Sequence, residues 1–127
     1  MAHIHQEVIL PSAPGAIYRA LLDSTEFSTL TGAKATIEAR EGGSFTCFDG
    51  YIYGRQLELV PGRRIVQAWR TQRWPEGDWS TIRFELHAVD GGTKLVFDQH
   101  GAPEGDVPSL SAGWHEHYWE PLKNLRP

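Results

Sequence analysis

Hydrophobic and polar positions alternate through the middle of the chain. In residues 80–89, Ile82, Phe84 and Leu86 alternate with polar or charged neighbours, and residues 93–100 continue the same alternation. A period of two is typical of a strand with one dry face and one wet face. Runs of this kind predict strands over residues 3–10, 35–40, 43–48, 51–60, 63–71, 80–89 and 93–100.

Turn residues separate these runs at regular intervals. Asp49-Gly50, Pro61-Gly62 and Gly91-Gly92 are dipeptides that favour tight turns. Their spacing indicates an antiparallel meander. In residues 63–71 two alternations fit almost equally well, so the pattern does not decide which face of that strand points inward.

Helical patterns occupy the two ends of this strand-rich region. Pro14 opens a short helix after the first strand, and Asp23 with Glu26 forms a capping-box-like pair that starts a second one. Residues 109–125 predict one long amphipathic helix after a surface loop over 101–112. Its apolar stripe consists of Leu110, Trp114, His117 or Tyr118, Leu122 and Leu125.

The long helix has to cover most of the sheet, and that arrangement usually encloses a cavity. Two tryptophans, a tyrosine and two histidines lie between Trp114 and Trp119. Amphipathic rings of this kind suit a ligand that is mostly apolar with a few polar groups, although an aromatic stripe is often simply core. Pro121 removes a backbone donor, so we expect a bend near His117.

Composition narrows the choice of partners. The 127 residues predict one domain over 1–127, and a net charge of −4 argues against nucleic acid, whose binding requires a basic surface. Cys47 is the single cysteine, which excludes an internal disulfide and suits a reducing compartment. The chain shows no secretory leader and no membrane-spanning run, so we expect a cytoplasmic protein without membrane insertion. A homodimer is left open.

The positions of the histidines and the cysteine give little support for a metal site or a catalytic nucleophile. His115 and His117 lie two apart on a helix and point to different sides, and His3 and His5 fall at the very start of the chain. Cys47 has no basic neighbourhood in sequence. We therefore expect no metal site and no nucleophilic role for Cys47.

Several stretches carry a family resemblance. They are FDGYIYGRQLELVPGRRIVQAWR (48–70), WPEGDWS (74–80), GGTKLVFDQHGAP (91–103) and GWHEHYWEPLKNL (113–125). With the order strand, two short helices, six strands and long helix, they resemble the SRPBCC superfamily with its START-like helix-grip fold. More narrowly, nearly the whole chain resembles the family named after the activator of the ninety-kilodalton heat-shock protein ATPase.

The resemblance implies an α+β fold in which a curved seven-stranded antiparallel sheet wraps around the C-terminal helix and a hydrophobic tunnel, with no obligatory cofactor. It decides little about chemistry, since the fold hosts lipid carriers, hormone receptors, aromatases, cyclases and co-chaperone domains. The chaperone activator itself carries a further domain ahead of this module. The 127 residues have no room for that domain, so we do not expect its chaperone activity to carry over.

These observations lead to three hypotheses about function. The first is binding of a small hydrophobic molecule in a cavity between sheet and helix; the second is a cyclase- or aromatase-like enzyme using acid–base residues; the third is a chaperone-interaction module. The residues expected to line the cavity are Trp69, Phe84, Phe97, Gln99, Trp114, His117 and Tyr118.

Overall fold

Seven strands form one sheet in the computed structural model, which describes residues 2–125. The strands are β1 (His3–Leu10), β2 (Thr36–Ile37), β3 (Ser44–Cys47), β4 (Ile52–Val60), β5 (Arg64–Thr71), β6 (Ser80–Val89) and β7 (Gly92–His100). They pair antiparallel in the order β1-β7-β6-β5-β4-β3-β2. The predicted α+β fold class, with a seven-stranded antiparallel sheet, is therefore confirmed.

Short turns and one irregularity shape the sheet. Gly62 has φ +72° in the turn from β4 to β5, a conformation that glycine adopts without steric strain. A β-bulge between Gln56 and Glu58 shifts the register of β4 against β5. Bulges bend a strand and increase its twist, which helps the sheet to curve around the helix that packs on it.

Two short helices, α1 (Pro14–Leu22) and α2 (Ser24–Thr31), connect β1 to β2. The Asp23 carboxylate accepts a hydrogen bond of 2.8 Å from the backbone N–H of Glu26 and so caps α2. Both helices and the capping role of Asp23 are confirmed, whereas the Glu26 carboxylate accepts a hydrogen bond from the Arg19 guanidinium at 2.8 Å and does not return to the backbone N–H of Asp23.

The C-terminal helix extends over residues 107–123. It comprises α3 (Val107–Trp114), a π-helical turn (His115–Trp119) and α4 (Glu120–Lys123). The long helix is confirmed, but it begins two residues before the predicted start at 109 and ends two residues before the predicted end at 125. Pro108 lies in its first turn, where a missing N–H costs nothing. The predicted surface loop over 101–112 is correspondingly shorter.

Pro121 accounts for the π-helical turn. It has no N–H to donate to the carbonyl of His117, and the N–H of Glu120 instead donates to the carbonyl of His115, five residues earlier. The wider turn holds one extra residue. Two successive aromatic side chains, Tyr118 and Trp119, can then both be buried. The expected bend near His117 thus takes the form of a widened turn.

The core lies between the C-terminal helix and the inner face of the sheet. In β5 the inward row is Ile65, Gln67 and Trp69, all buried, which settles the alternation that the sequence left open. Arg70 is buried as well, and its guanidinium donates to backbone carbonyls there, among them that of Trp74 at 2.6 Å. Within residues 2–125, no helix has the length and apolar character needed to cross a membrane.

Candidate functional site

A pocket of about 560 Å³ opens between the C-terminal helix, the β3–β4 turn and the adjoining ends of β4 and β5. Its size falls in the range of small-molecule sites. The residues that line it are Phe48, Tyr51, Ile52, Trp69, Thr71, Ser109, Leu110, Ala112, Gly113, Trp114, Glu116, His117 and Tyr118. Aromatic and aliphatic side chains predominate, and the polar groups are few.

The inner wall of the pocket is a cluster of three rings from two elements. Trp69 comes from β5, whereas Trp114 and Tyr118 come from the C-terminal helix one turn apart. The ring centroids of Trp69 and Trp114 are 5.1 Å apart, and those of Trp114 and Tyr118 are 4.4 Å apart. All three residues are buried. Packing from several sides therefore holds this wall in one arrangement.

Phe48 forms the outer side of the pocket from an unusual backbone position. Its φ is +54° and that of Asp49 is +58°, a left-handed conformation that non-glycine residues adopt at a cost. The Phe48 ring lies 5.7 Å from Tyr118 and 5.8 Å from His117, centroid to centroid. The strained turn thus brings an aromatic ring onto the helix beside the pocket mouth.

The structure brings four of the seven expected cavity residues to the pocket, namely Trp69, Trp114, His117 and Tyr118. The other three, Phe84, Phe97 and Gln99, are buried behind its wall. Phe97 packs against Trp114 with centroids 4.2 Å apart. Strand alternation correctly placed these three side chains inside, but it carries no information on how deep in the core each one lies.

Gln99 supports the pocket wall instead of facing the cavity. Its side-chain oxygen accepts a hydrogen bond of 2.8 Å from the indole N–H of Trp114, and its amide nitrogen donates at 3.0 Å to the hydroxyl of Ser80. That hydroxyl in turn donates to the backbone carbonyl of Trp69 at 2.8 Å. One chain of hydrogen bonds therefore connects the two tryptophans of the wall.

At the π-helical turn, Tyr118 faces the interior and His117 faces the pocket rim. Tyr118 is 6% exposed, whereas the side chain of His117 is 56% exposed and lies at the rim. The sequence left the choice between them open because a regular helix repeat fits both. The widened turn places Tyr118 inside.

The ionisable groups deepest in this region are held in their neutral forms. Burial raises the pKa of the Tyr118 hydroxyl well above its usual range, and the nearby Cys47 adds to the effect. Burial likewise raises the pKa of the Cys47 thiol to about 12. At neutral pH the Tyr118 hydroxyl is thus a neutral hydrogen-bonding group, suited to a ligand's polar atom within an apolar wall.

Phe48, Tyr51, Ile52 and Leu110 line the pocket without having been expected there. The first three belong to the β3–β4 turn and the start of β4. The Asp49-Gly50 dipeptide predicted a turn at this place, but its sequence does not indicate that the turn folds against the helix. That contact depends on the curvature of the sheet.

A second group of ionisable side chains lies on the outer face of the sheet, where Asp98 accepts hydrogen bonds from His3, His5 and Arg83. Burial by itself would raise the pKa of Asp98, but these three donors lower it to about 2. His3, Asp98 and His100 are the described residues whose side chains are close enough together to hold a metal ion.

The sequence of this chain is similar to those of several known proteins. The chain is 34% identical over 112 residues to the human protein "Activator of 90 kDa heat shock protein ATPase homolog 1", an alignment that covers 88% of this chain and 33% of the relative. The chain spans about a third of the length of the relatives it matches.

Solved structures with the same fold include an HSP90 activator from Plasmodium falciparum, with a TM-score of 0.88, 24% identity, and coverage of 94% of this chain and 92% of the other. An Aha1 dimer from Colwellia psychrerythraea has a TM-score of 0.84 at 18% identity, with 98% and 96% covered. The profile of one family matches residues 12–126. The chain therefore belongs to the family described as Activator of Hsp90 ATPase homolog 1-like protein.

Proposed function

We propose that this protein binds a small, largely apolar molecule in the pocket between its C-terminal helix and sheet. The observation that carries the proposal is the pocket of about 560 Å³ with a wall of buried aromatic rings. A well-formed apolar concavity with a few convergent polar groups is the usual form of a small-molecule site. The single buried cysteine, Cys47, agrees with a cytoplasmic location.

The polar groups of the pocket indicate which ligand features it favours. The Tyr118 hydroxyl stays neutral and interacts with the indole N–H of Trp69, so two hydrogen-bonding groups lie side by side in an otherwise apolar wall. A ligand with a planar apolar body and one carbonyl or hydroxyl oxygen directed at this side of the wall would match both groups.

Gly113 gives access to a direct test, because it lines the pocket and a Cβ there would meet only the Cδ2 atom of His117, at 3.9 Å. Gly113→Leu should fill part of the cavity without a backbone clash. Gly15→Leu is the matched control: Gly15 also lies in a helix, and a Cβ there would meet no atom within 4 Å.

The measurement is a fluorescence titration with an anilinonaphthalene sulfonate probe, together with native mass spectrometry of the freshly purified chain. We expect the Gly113→Leu variant to bind the probe at least about tenfold more weakly, equivalent to ~1.4 kcal/mol, and the control to bind like the parent chain. Equal affinity in both variants would show that the probe binds elsewhere and would remove the basis of the proposal.

A second candidate function is contact with a ninety-kilodalton heat-shock protein, which the 34% identity to the human ATPase activator supports. Trp79 offers an anchor for such a contact: it is 44% exposed, and its ring packs edge-on against Tyr53 and under the Arg70 guanidinium, 5.6 Å from the ring centroid. A rigid, exposed tryptophan beside an arginine is typical of interface hot spots.

Calorimetry with a purified ninety-kilodalton heat-shock protein tests this second function. Trp79→Ala should weaken binding at least about fivefold, the loss of ~1 kcal/mol or more expected at a hot spot. Val89→Ala is the control, because Val89 is also exposed but lies at the far end of β6. Absence of binding by the parent chain would exclude this function and leave the pocket proposal untouched.

A further inference from the structure

The pairing of β1 with β7 gathers three histidines and an aspartate at one end of the sheet. His3 lies opposite His100, and His5 lies opposite Asp98. Alternate residues of a strand share a face, and directly paired residues of neighbouring strands share it too. The four side chains therefore project together from the outer face, away from the pocket.

Their distances are close to those of a metal site. The Nε2 atom of His3 is 3.0 Å from Oδ1 of Asp98, and the Nδ1 atom of His5 is 2.7 Å from the same oxygen. One ligand atom from each of His3, Asp98 and His100 can be chosen so that all lie within 4.8 Å of one another. Two ligands on a tetrahedral Zn²⁺ ion are about 3.3 Å apart, so closure by roughly 1.5 Å or less is sufficient.

We propose that His3, Asp98 and His100 form a Zn²⁺ site on the outer face of the β1–β7 edge, with His5, whose Nε2 lies 2.8 Å from the Glu7 carboxylate and whose ring has to turn away from it, as the fourth ligand. Imidazole nitrogen and carboxylate oxygen are ligands that Zn²⁺ accepts in tetrahedral geometry. The site is separate from the pocket and does not depend on the function proposed for it.

Asp98 is already oriented for this role. It is 6% exposed, and its second oxygen, Oδ2, accepts a hydrogen bond of 2.9 Å from the Arg83 guanidinium. That bond holds the carboxylate in place and leaves Oδ1 directed at the two histidines. Partners of this kind in the outer shell commonly orient metal ligands.

The histidine rings have to turn before they coordinate. The rings of His3 and His100 are stacked, with centroids 4.0 Å apart and planes at 12°, whereas a metal ion lies in the plane of each imidazole that it binds. The side chains of His3 and His5 are each 46% exposed, and His100 is exposed as well. Such rings can rotate at little cost in packing.

A metal ion at this site would join the edge strand β1, which contacts the C-terminal helix, to β7. In the sheet order β1 is the outermost strand and has β7 as its neighbour. Gln6 directly follows His5 on β1. It accepts a hydrogen bond of 2.7 Å from the Trp119 indole and donates one of 3.0 Å to the Ser111 carbonyl. A metal bridge from β1 to β7 should therefore stabilise the whole fold when it binds.

Isothermal titration of the chain without an affinity tag, with zinc chloride as the probe, tests the proposal. We expect one Zn²⁺ per chain, and affinity reduced at least about tenfold in the His3→Ala/His100→Ala double variant. His87→Ala is the matched control. His87 is an exposed histidine of β6, and it lies about four residues along that strand from Arg83, the residue that pairs with Asp98. It should leave the affinity unchanged.

Two further measurements keep the result decisive. Zn²⁺ should raise the midpoint of thermal unfolding of the parent chain and of His87→Ala, but not that of the double variant. In NMR spectra of the parent chain it should shift the imidazole signals of His3 and His100 and leave that of His87 in place. Absence of Zn²⁺ binding by the parent chain, equal affinity in the double variant, or shifts confined to other histidines would overturn the proposal.

Discussion

The indole N–H of Trp114 donates to the side-chain oxygen of Gln99 at 2.8 Å, and both residues are buried. Trp114 belongs to the C-terminal helix and Gln99 to β7, so this bond joins the two layers that enclose the pocket. A buried polar pair of this kind fixes the orientation of a large ring, whereas apolar contacts alone would allow several.

Replacement of Gln99 by leucine tests how much this bond contributes. The change keeps a side chain of similar size but leaves the Trp114 N–H without its acceptor, while the Ser80 hydroxyl loses one of its two hydrogen bonds and keeps the other, to the Trp69 carbonyl. We expect the free energy of unfolding to fall by about 1–3 kcal/mol, the cost of buried polar groups that lose their hydrogen bonds. Chemical denaturation monitored by tryptophan fluorescence measures it.

Gln6→Leu is the natural comparison, because Gln6 accepts an equivalent bond from Trp119 but is only partly buried. Gln6 lies partly open to solvent, so water can reach the space beside the Ser111 carbonyl, and we expect a smaller loss than for Gln99→Leu although the buried Trp119 indole loses its acceptor. An equal or larger loss would mean that burial does not set the strength of these two bonds.

The C-terminal helix should supply a large share of the core energy, and Leu122 isolates that contribution. Leu122 is fully buried under the sheet, whereas Leu125 is half-buried near the end of the described chain. Leu122→Ala should lower the free energy of unfolding by about 2–5 kcal/mol. Leu125→Ala should cost clearly less in the same thermal or chemical denaturation experiment. Similar losses for the two would indicate that the helix packs loosely along its whole length.

Much of the fold could be predicted from the sequence because its signals are local. The alternation of Ile82, Phe84 and Leu86 in β6 identified the buried face, and the turn dipeptides marked where strands end. Each signal depends on a few neighbouring residues and on a fixed period, so it survives without knowledge of the tertiary structure.

The site was harder to predict because it depends on departures from those periods. The π-helical turn changes which of His117 and Tyr118 faces inward, and a regular helix repeat does not reveal it. The cluster of His3, Asp98 and His100 exists only through the register of β1 against β7, which joins residues more than 90 positions apart. Long-range pairing of this kind has no counterpart in sequence spacing.

Cys47 should be chemically inert in the folded protein. It is buried, and burial raises the pKa of its thiol to about 12 from an ordinary value near 9.0. The reactive thiolate is then about a thousandfold rarer at neutral pH than in an exposed thiol. We expect Ellman's reagent to react slowly with the native chain and rapidly after unfolding in guanidinium.

Thr46→Cys in a Cys47→Ser background gives the control for that measurement. Position 46 is the exposed neighbour of Cys47 on β3, so a thiol there should react at the rate of an ordinary exposed cysteine. Rapid reaction of Cys47 in the native chain would mean that β3, which lies next to the short edge strand β2, opens readily.

The last prediction distinguishes binding from acid–base catalysis through two adjacent residues of the pocket, His117 and Tyr118. His117→Gln keeps a hydrogen-bonding group at the rim but can no longer exchange a proton near neutral pH. Because the ring is 56% exposed, a site that only binds should lose no more than one ordinary hydrogen bond. The dissociation constant of the fluorescent probe should then change by less than about tenfold, equivalent to roughly 0.5–1.5 kcal/mol.

Tyr118→Phe provides the contrast, since it removes a buried hydroxyl from the pocket wall and leaves the ring in place. For a ligand whose oxygen meets that hydroxyl, the loss of affinity should exceed the loss caused by His117→Gln, because a hydrogen bond shielded from water is worth more than one at an exposed rim. A larger loss of affinity in His117→Gln than in Tyr118→Phe would indicate that the His117 imidazole makes the main polar contact with the ligand. It would favour the cyclase-like hypothesis, in which a positioned base contributes about 10² to 10⁴ in rate.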